Sequence, residues 1–334
     1  MSAAASAVRV QRWTPLSIVA TCVGTVLLAA LAFGPVVFGA NTIDKLTELF
    51  VYVILAAMWN ALAGYAGLVS VGQQAFFGLG GYATIQLTQH GVNVFLALAL
   101  AGLAVAAVSL PTSLVVLWLR GGEFAIAMWV VAEVFHLLVN LDHSVHGVTG
   151  TSLTALNHYD PTDRRRYTYW LALGMMSGLL AAVFFLLRGR LGPSMQAIRD
   201  DEQAAGSVGV RVLRTKLVVF VLAAAGCGAA GAIWLAGQLT YQPNSYFSIQ
   251  WTAYMLFMTL VGGLATFEGP IIGALIFFFI QDRFGTHGVW YLVGLGAVAI
   301  LCALLLPRGL WGTIEDKFGI RLLPVGYRLR RRDS

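Results

Sequence analysis

Residues Asn60–Tyr82 read NALAGYAGLVSVGQQAFFGLGGY, and the reading of this stretch decides the fold. It starts inside an apolar run, yet it carries Gly64, Gly67, Gly72, Gly78, Gly80 and Gly81 within 23 residues. Each glycine weakens a helix by about 1 kcal/mol relative to alanine, so the stretch is not one long regular rod. Asn60, Ser70, Gln73 and Gln74 sit among the glycines. Inside a bilayer, backbone groups released by a broken helix need partners from protein or from a water-filled cavity. Two readings follow: polar side chains and glycine breaks that line a path, or small residues that let helices approach closely.

The rest of the chain supplies the bilayer. Of 334 residues, 58% are hydrophobic and 11% charged, against a usual charged share of about 25%. Such a chain cannot cover a water-facing surface. The net charge of +6 does not point to nucleic acid, because the basic residues are scattered between apolar runs. Cys22, Cys227 and Cys302 lie in apolar runs without metal-ligand spacing and read as small core residues.

Apolar runs of membrane-crossing character fall at about 16–40, 48–66, 74–89, 93–119, 122–141, 168–187, 217–237, 248–266, 269–284 and 289–306. The first is too long for the core of a cleaved signal peptide, although VFGA at 37–40 resembles a cleavage site. The expected fold is an all-α polytopic membrane domain over residues 1–334, with about 8–10 transmembrane helices. The lower number applies if the short runs 74–89 and 269–284 are re-entrant.

Arginines and lysines set the expected orientation. Arg188, Arg190, Arg199, Arg211, Arg214 and Lys216 crowd 188–216, and seven more basic residues follow Leu306, ending in Arg330, Arg331 and Arg332. Six crossings before the first cluster and four after it put both clusters and both termini in the cytoplasm. Residues 307–334 then form a basic cytoplasmic tail. Arg164, Arg165 and Arg166 oppose this scheme on the outer side, in the company of Asp160 and Asp163.

Within the cytoplasmic segment 192–216, Gly192-Pro193 is expected to break one helix and Ser194 to cap a short one from Met195 to about Ser207. Met195, Ile198, Ala205 and Val208 give that helix an apolar side, and Gly209 ends it. An amphipathic helix this small suits either docking into a groove of another protein or lying on lipid headgroups. Glu133 falls near the middle of its span with His136 one turn on, and an intramembrane acid points to function. Asp282 and Arg283 at a helix end are read as snorkelling, and Glu268 as lying in a turn near an interface. Ala223, Cys227 and Gly231 form a small-residue ladder for close helix packing. His143, His146 and His158 share one outer loop, with spacing that matches no standard metal site. The sequence contains no phosphate-binding Gly-x-x-x-x-Gly-Lys-[Ser/Thr] loop and no nucleophile–base constellation.

Four motifs in order resemble the LivM-type permease subunits of bacterial branched-chain amino-acid ABC importers. The first comprises Trp59, Asn60, Gly64, Tyr65, Gly67, Ser70, Gly72, Phe76, Phe77, Gly78, Gly80 and Tyr82. The others are Phe124–Ile126 with Ala132–Val134, then Ile198–Val210 followed by Lys216–Phe220, then Gly262–Gly273. Gln73 stands where many relatives have histidine, and the family's glycine pair is missing near Thr149–Thr151. The resemblance implies a transport subunit of the bacterial inner membrane, not an enzyme, with no cofactor of its own. Its partners would be two cytoplasmic ATPases that use the ATP, a second LivH-like permease and a periplasmic binding protein. Met195, Ile198, Arg199, Asp200, Glu202, Ala204, Ala205, Val208 and Gly209 would couple it to an ATPase. Asn60, Tyr65, Ser70, Gln73, Phe77 and Glu133 would line the substrate path. Importers of urea, amides or small carboxylates share much of this pattern, and an ion-coupled secondary transporter is the further alternative, for which Glu133 is the clear coupling candidate.

Overall fold

A computed structural model describes residues 8–11, 15–145, 150–318, 322–323 and 328–331. It is almost wholly helical, and seven of its helical stretches are long and apolar enough to cross a membrane. The membrane elements are α1 (Pro15–Ala32), α2 (Ala40–Trp59), α3 (Gln74–Gln89), α4 (Val94–Val116), α5 (Gly121–Leu141) and α6 (Pro161–Arg188). Two short helices follow, α7 (Leu191–Asp200) and α8 (Glu202–Ser207). Then come α9 (Val212–Gln238), α10 (Gln250–Gly262), α11 (Gly269–Phe284), α12 (Val289–Leu305) and α13 (Gly309–Phe318).

Two sets of tied helix ends define the two ends of the bundle. At one end Arg165 pairs with Asp44 at 3.2 Å, Lys45 pairs with Asp282 at 2.6 Å, and the Tyr169 hydroxyl donates to the Leu31 carbonyl. Tyr82 donates to Asp142 there, and Asn93 donates to the Tyr159 hydroxyl. At the other end Arg120 meets Glu202, Arg199 meets the Gly64 carbonyl, and Asn60 holds the turn before α11. Strands β1 (Val8–Gln11) and β4 (Arg328–Arg331) pair antiparallel, so the two terminal segments lie together. Seven of the ten apolar runs fall on helices long and apolar enough to cross, and the runs 74–89, 248–266 and 269–284 form the shorter α3, α10 and α11. Non-helical residues 66–73 precede α3, and a two-residue ribbon of β2 (Thr151–Ser152) with β3 (Thr240–Tyr241) precedes α10.

Several expected boundaries move for local reasons. The first helix stops at Ala32 instead of Ala40, where Gly34 lets the Tyr169 hydroxyl approach within 2.6 Å of the site a side chain would fill. Asp282 is not a lone snorkelling group, since Lys45 reaches it from α2. The expected tail beyond Leu306 is folded over α13: Gly309 lies against Gly263 with φ +68°, and Trp311 is buried. Arg332 and His146 lie outside the described residues, as does Thr149. Among the described residues no group of His, Cys, Asp or Glu could hold a metal ion.

Candidate functional site: a broken helix, its clamp and an outward-facing acid

Helix α2 ends in a π-helical turn, Asn60–Tyr65, a widening that commonly marks functional positions. The Asn60 amide closes the turn, since its Oδ1 accepts from the Ala265 backbone N at 2.9 Å and its Nδ2 donates to the Thr266 carbonyl at 2.8 Å. Beyond Ala66 the chain turns back through residues that are not helical. Gly67 has φ +72°, a conformation that favours glycine, and a Cβ there would fall 2.9 Å from the Arg199 Cα. The freed backbone groups find protein partners: Leu68 N donates to the Leu62 carbonyl, Gly72 N to Ser70 Oγ, and Trp59 Nε1 to the Ser70 carbonyl.

Most of the residues expected to line a path here face the interior of the chain. Asn60, Tyr65, Ser70, Gln73 and Phe77 are all buried. Phe77 packs on Trp251 with ring centroids 4.1 Å apart, and Gln73 Oε1 accepts from the Cys227 thiol at 3.6 Å. Gln74 meets the Thr252 hydroxyl. The glycines explain this burial. Side chains at Gly72, Gly80 and Gly231 would collide with the backbones of Met128, Gly228 and Phe77. The small-residue ladder on α9 thus serves close packing as expected, with Gly228 also taking Val105 of α4.

The segment between α6 and α9 differs from its expectation in detail. Ser194 does not cap a helix; it lies inside α7, and its hydroxyl donates to the Arg190 carbonyl. The break falls at Gly189–Arg190, and Pro193 sits in the first turn, where its missing N–H leaves no intrahelical bond unmade. Instead of one helix there are two, parted at Asp201, whose side chain accepts from the backbone of Gln203 and Ala204 at 2.9 and 3.0 Å. Gly209, at φ +89°, follows the end of α8. Met195, Ile198 and Ala205 are buried against this chain's own helices and anchor the segment, so they are closed to a partner. Val208 lies on the opposite side and is 80% exposed. Ala204 and Gly209 are exposed beside it.

Two polar ties bind this segment to the membrane body. Arg199 Nη1 donates to the Gly64 carbonyl at 3.2 Å while Asp200 holds its Nε and Nη2. Glu202 bridges Lys216 at 2.6 Å and Arg120 at 3.5 Å, reaching the starts of both α9 and α5. Lys216 is only 2% exposed, so Glu202 is the partner that makes its charge tolerable there.

Glu133 is the exception among the candidate path residues. Its side chain is 60% exposed on the outside of α5, although Gly121 and Leu141 mark the two ends of the bundle. His136 Nδ1 lies 3.2 Å from Glu133 Oε1, and His136 Nε2 lies 2.9 Å from Asn244 Oδ1. The sequence pairing of Glu133 with His136 at helical spacing found this much, whereas Asn244, over a hundred residues away, carried no local signal. At the bundle end nearby, hydrogen bonds from Tyr82 and from the Ser144 backbone hold the Asp142 carboxyl below the usual carboxylate range.

The family model for the permease component of branched-chain amino acid transport systems matches residues 41–306. The chain belongs to that family. The permease is 29% identical over 312 residues to the high-affinity branched-chain amino acid transport system permease protein LivM of Escherichia coli (strain K12), covering 85% of this chain and 73% of LivM. It is 24% identical over 283 residues to the D-allose transport system permease protein AlsC of the same organism, covering 80% of this chain and 84% of AlsC. The ribose import permease protein RbsC of Escherichia coli (strain K12) is 30% identical over 135 residues, 39% of this chain and 42% of RbsC. A solved structure, PsaBC from Streptococcus pneumoniae in complex with Fab, overlaps 76% of this chain and 94% of that one at 15% identity and a TM-score of 0.40. The permease is thus a transport component that crosses the membrane several times.

Proposed function

We propose that the permease is one membrane half of an ATP-driven importer of branched-chain amino acids or related small polar solutes. Two cytoplasmic ATPases supply the energy, a second LivH-like permease completes the membrane part, and a periplasmic binding protein delivers the solute. ATP is bound by the ATPases and no cofactor by this chain. The observation that carries the reading is the α7–α8 segment: too small to be a domain, exposed on the face of Ala204, Val208 and Gly209, and bonded on the other face to the helix break through Arg199.

In this reading the exposed face of α8 seats in an ATPase, and Arg199 and Asp200 hand its displacement to the π-turn at Gly64. Glu202 keeps the segment registered against α5 and α9. Such a rigid-body shift is an established way to switch access between two sides of a membrane. The Asn60–Gly72 bend acts as the hinge, and the buried Phe77 holds it against Gly231 of α9 and Trp251 of α10. The path runs along the exposed side of α5, where Glu133 lies, under cover of the second permease. The bundle end carrying α7 and α8, with both termini, faces the cytoplasm in the inner membrane, as the arginines and lysines of 188–216 favour.

The test is co-expression with the neighbouring ATPase and permease subunits, purification through a tag on this chain, and leucine uptake into vesicles with ATP. Co-purification and ATP-dependent uptake that requires the binding protein are expected. Accumulation by this chain alone, driven by an ion gradient, would overturn the reading. The similarity to the ribose and D-allose permeases makes a neutral sugar the second cargo to try.

A further inference from the structure

Glu133 poses a physical problem that packing within the chain does not solve. It lies twelve residues past Gly121, about 18 Å along a helix with a 1.5 Å rise, hence near the middle of the span. A charged side chain facing lipid at that depth costs about 3 kcal/mol on insertion scales, and more on other measures. Yet the carboxylate points outward, and only one of its oxygens, Oε1, is hydrogen-bonded among the described residues. Its position is nonetheless fixed. His136 is gripped from the far side by Asn244 and lies over the Phe247 ring, with centroids 5.5 Å apart and planes at 27°. Phe247 in turn fills the space left open at Gly78 on α3. The carboxylate is thus built into place by three elements and left with a free oxygen.

The neighbours of Glu133 on the same helical face specify what that oxygen suits. Trp129 lies four residues earlier and Leu137 four residues later, both exposed. An indole face attracts a cation, and the aliphatic surface beside it takes an apolar body. We propose that Glu133, oriented by His136 and Asn244 and flanked by Trp129, is a transport station that binds the ammonium group of a solute with an aliphatic side chain. The station rests on the permease reading above, in which the second permease covers this face. It adds a chemical preference: cargo with a primary ammonium passes here, whereas a neutral sugar gains nothing from the carboxylate.

The experiment uses the assembled transporter with its ATPases and binding protein, after Cys22, Cys227 and Cys302 are replaced by serine or alanine. Leu137→Cys, one turn from the retained Glu133 carboxylate on the same exposed face, is treated with a membrane-impermeant cationic thiol reagent, with and without saturating leucine and ATP. Labelling from water, slowed by leucine, is expected. In parallel, Glu133→Gln is expected to lower leucine turnover per ATP about tenfold, the kinetic equivalent of one charge-assisted hydrogen bond, with partial recovery in Glu133→Asp. A cysteine that stays unlabelled, or is labelled regardless of leucine, overturns the station, as does Glu133→Gln with wild-type turnover. A wild-type complex without ATP-dependent uptake would instead sink the permease reading itself, before any variant is compared.

Discussion

Helices α3 and α5 lie side by side, and each carries polar residues at membrane depth, but they put them to opposite uses. The stretch leading into α3 turns Ser70, Gln73 and Gln74 inward, where Trp59, Cys227 and Thr252 meet them. Helix α5 buries only 22% of its apolar window and turns Glu133 outward. For the α2 helix with its π-turn the buried share is 83%. The difference teaches that glycine density marks where helices must touch, and that a polar group beside glycines has been sealed in by that contact. A polar group on a helix without such glycines, facing away from the bundle, is the one left for a ligand or a partner.

The largest effect expected from this comparison is at Gly80. Replacing it with leucine forces a side chain into the Gly228 backbone of α9 and should leave little folded protein, as judged by monodispersity in detergent. Gly174→Leu on α6, where no atom lies within 4 Å of the added Cβ, should behave like wild type. Equal behaviour of the two would break the packing account of the glycines.

Glu202→Ala comes next, because it strands the buried Lys216 charge. Breaking a buried pair costs about 3–5 kcal/mol, and the thermal midpoint of the purified complex should fall accordingly. Lys216→Met together with Glu202→Ala should recover much of the loss, since the unpaired charge is then gone. Asn60→Ala takes one hydrogen bond each from the part-buried Ala265 N–H and Thr266 carbonyl, at about 1 kcal/mol per bond, and should lower the midpoint less.

Arg199→Ala should barely change stability but should separate ATP hydrolysis from uptake. The ATPases remain bound and active while leucine transport per ATP falls several-fold. Loss of ATPase binding would instead make Arg199 a docking residue. The smallest effect is expected at Gln73, whose Nε2 is buried without a hydrogen-bond partner among the described residues. Gln73→Leu should be neutral or slightly stabilising with uptake intact. A severe uptake defect there would return the path to the interior of the α3 region and reverse the comparison between the two helices.

Much of the architecture could be read before any coordinates, for reasons visible in particular residues. Each of the ten apolar runs coincides with a helix, and seven of these are long enough to cross, because a helix in lipid must satisfy its own backbone and so requires an unbroken apolar run. The break after Trp59 was legible in its glycines, and the end of the α7–α8 segment in Gly209. The cap at Ser194 was misread, since Asp201 offers a carboxylate to two amides at once while Ser194 lies within an unbroken turn. The apolar side read for Met195, Ile198, Ala205 and Val208 is split by the two-helix arrangement, which buries the first three and leaves Val208 outside.

By itself, then, the amino-acid order determined that this chain lives in a bilayer, roughly where its apolar helices lie, and that its polar and glycine-rich stretch could not be a plain rod. Those properties depend on hydrophobicity and backbone freedom, which act within one turn or one span. Tertiary structure alone decided which polar groups are sealed and which are offered. Asn60 finds Ala265, Arg199 finds Gly64 and His136 finds Asn244 across more than a hundred residues. Whether a buried amide is satisfied or a carboxylate faces outward depends on what the fold brings against it, and no local pattern contains that.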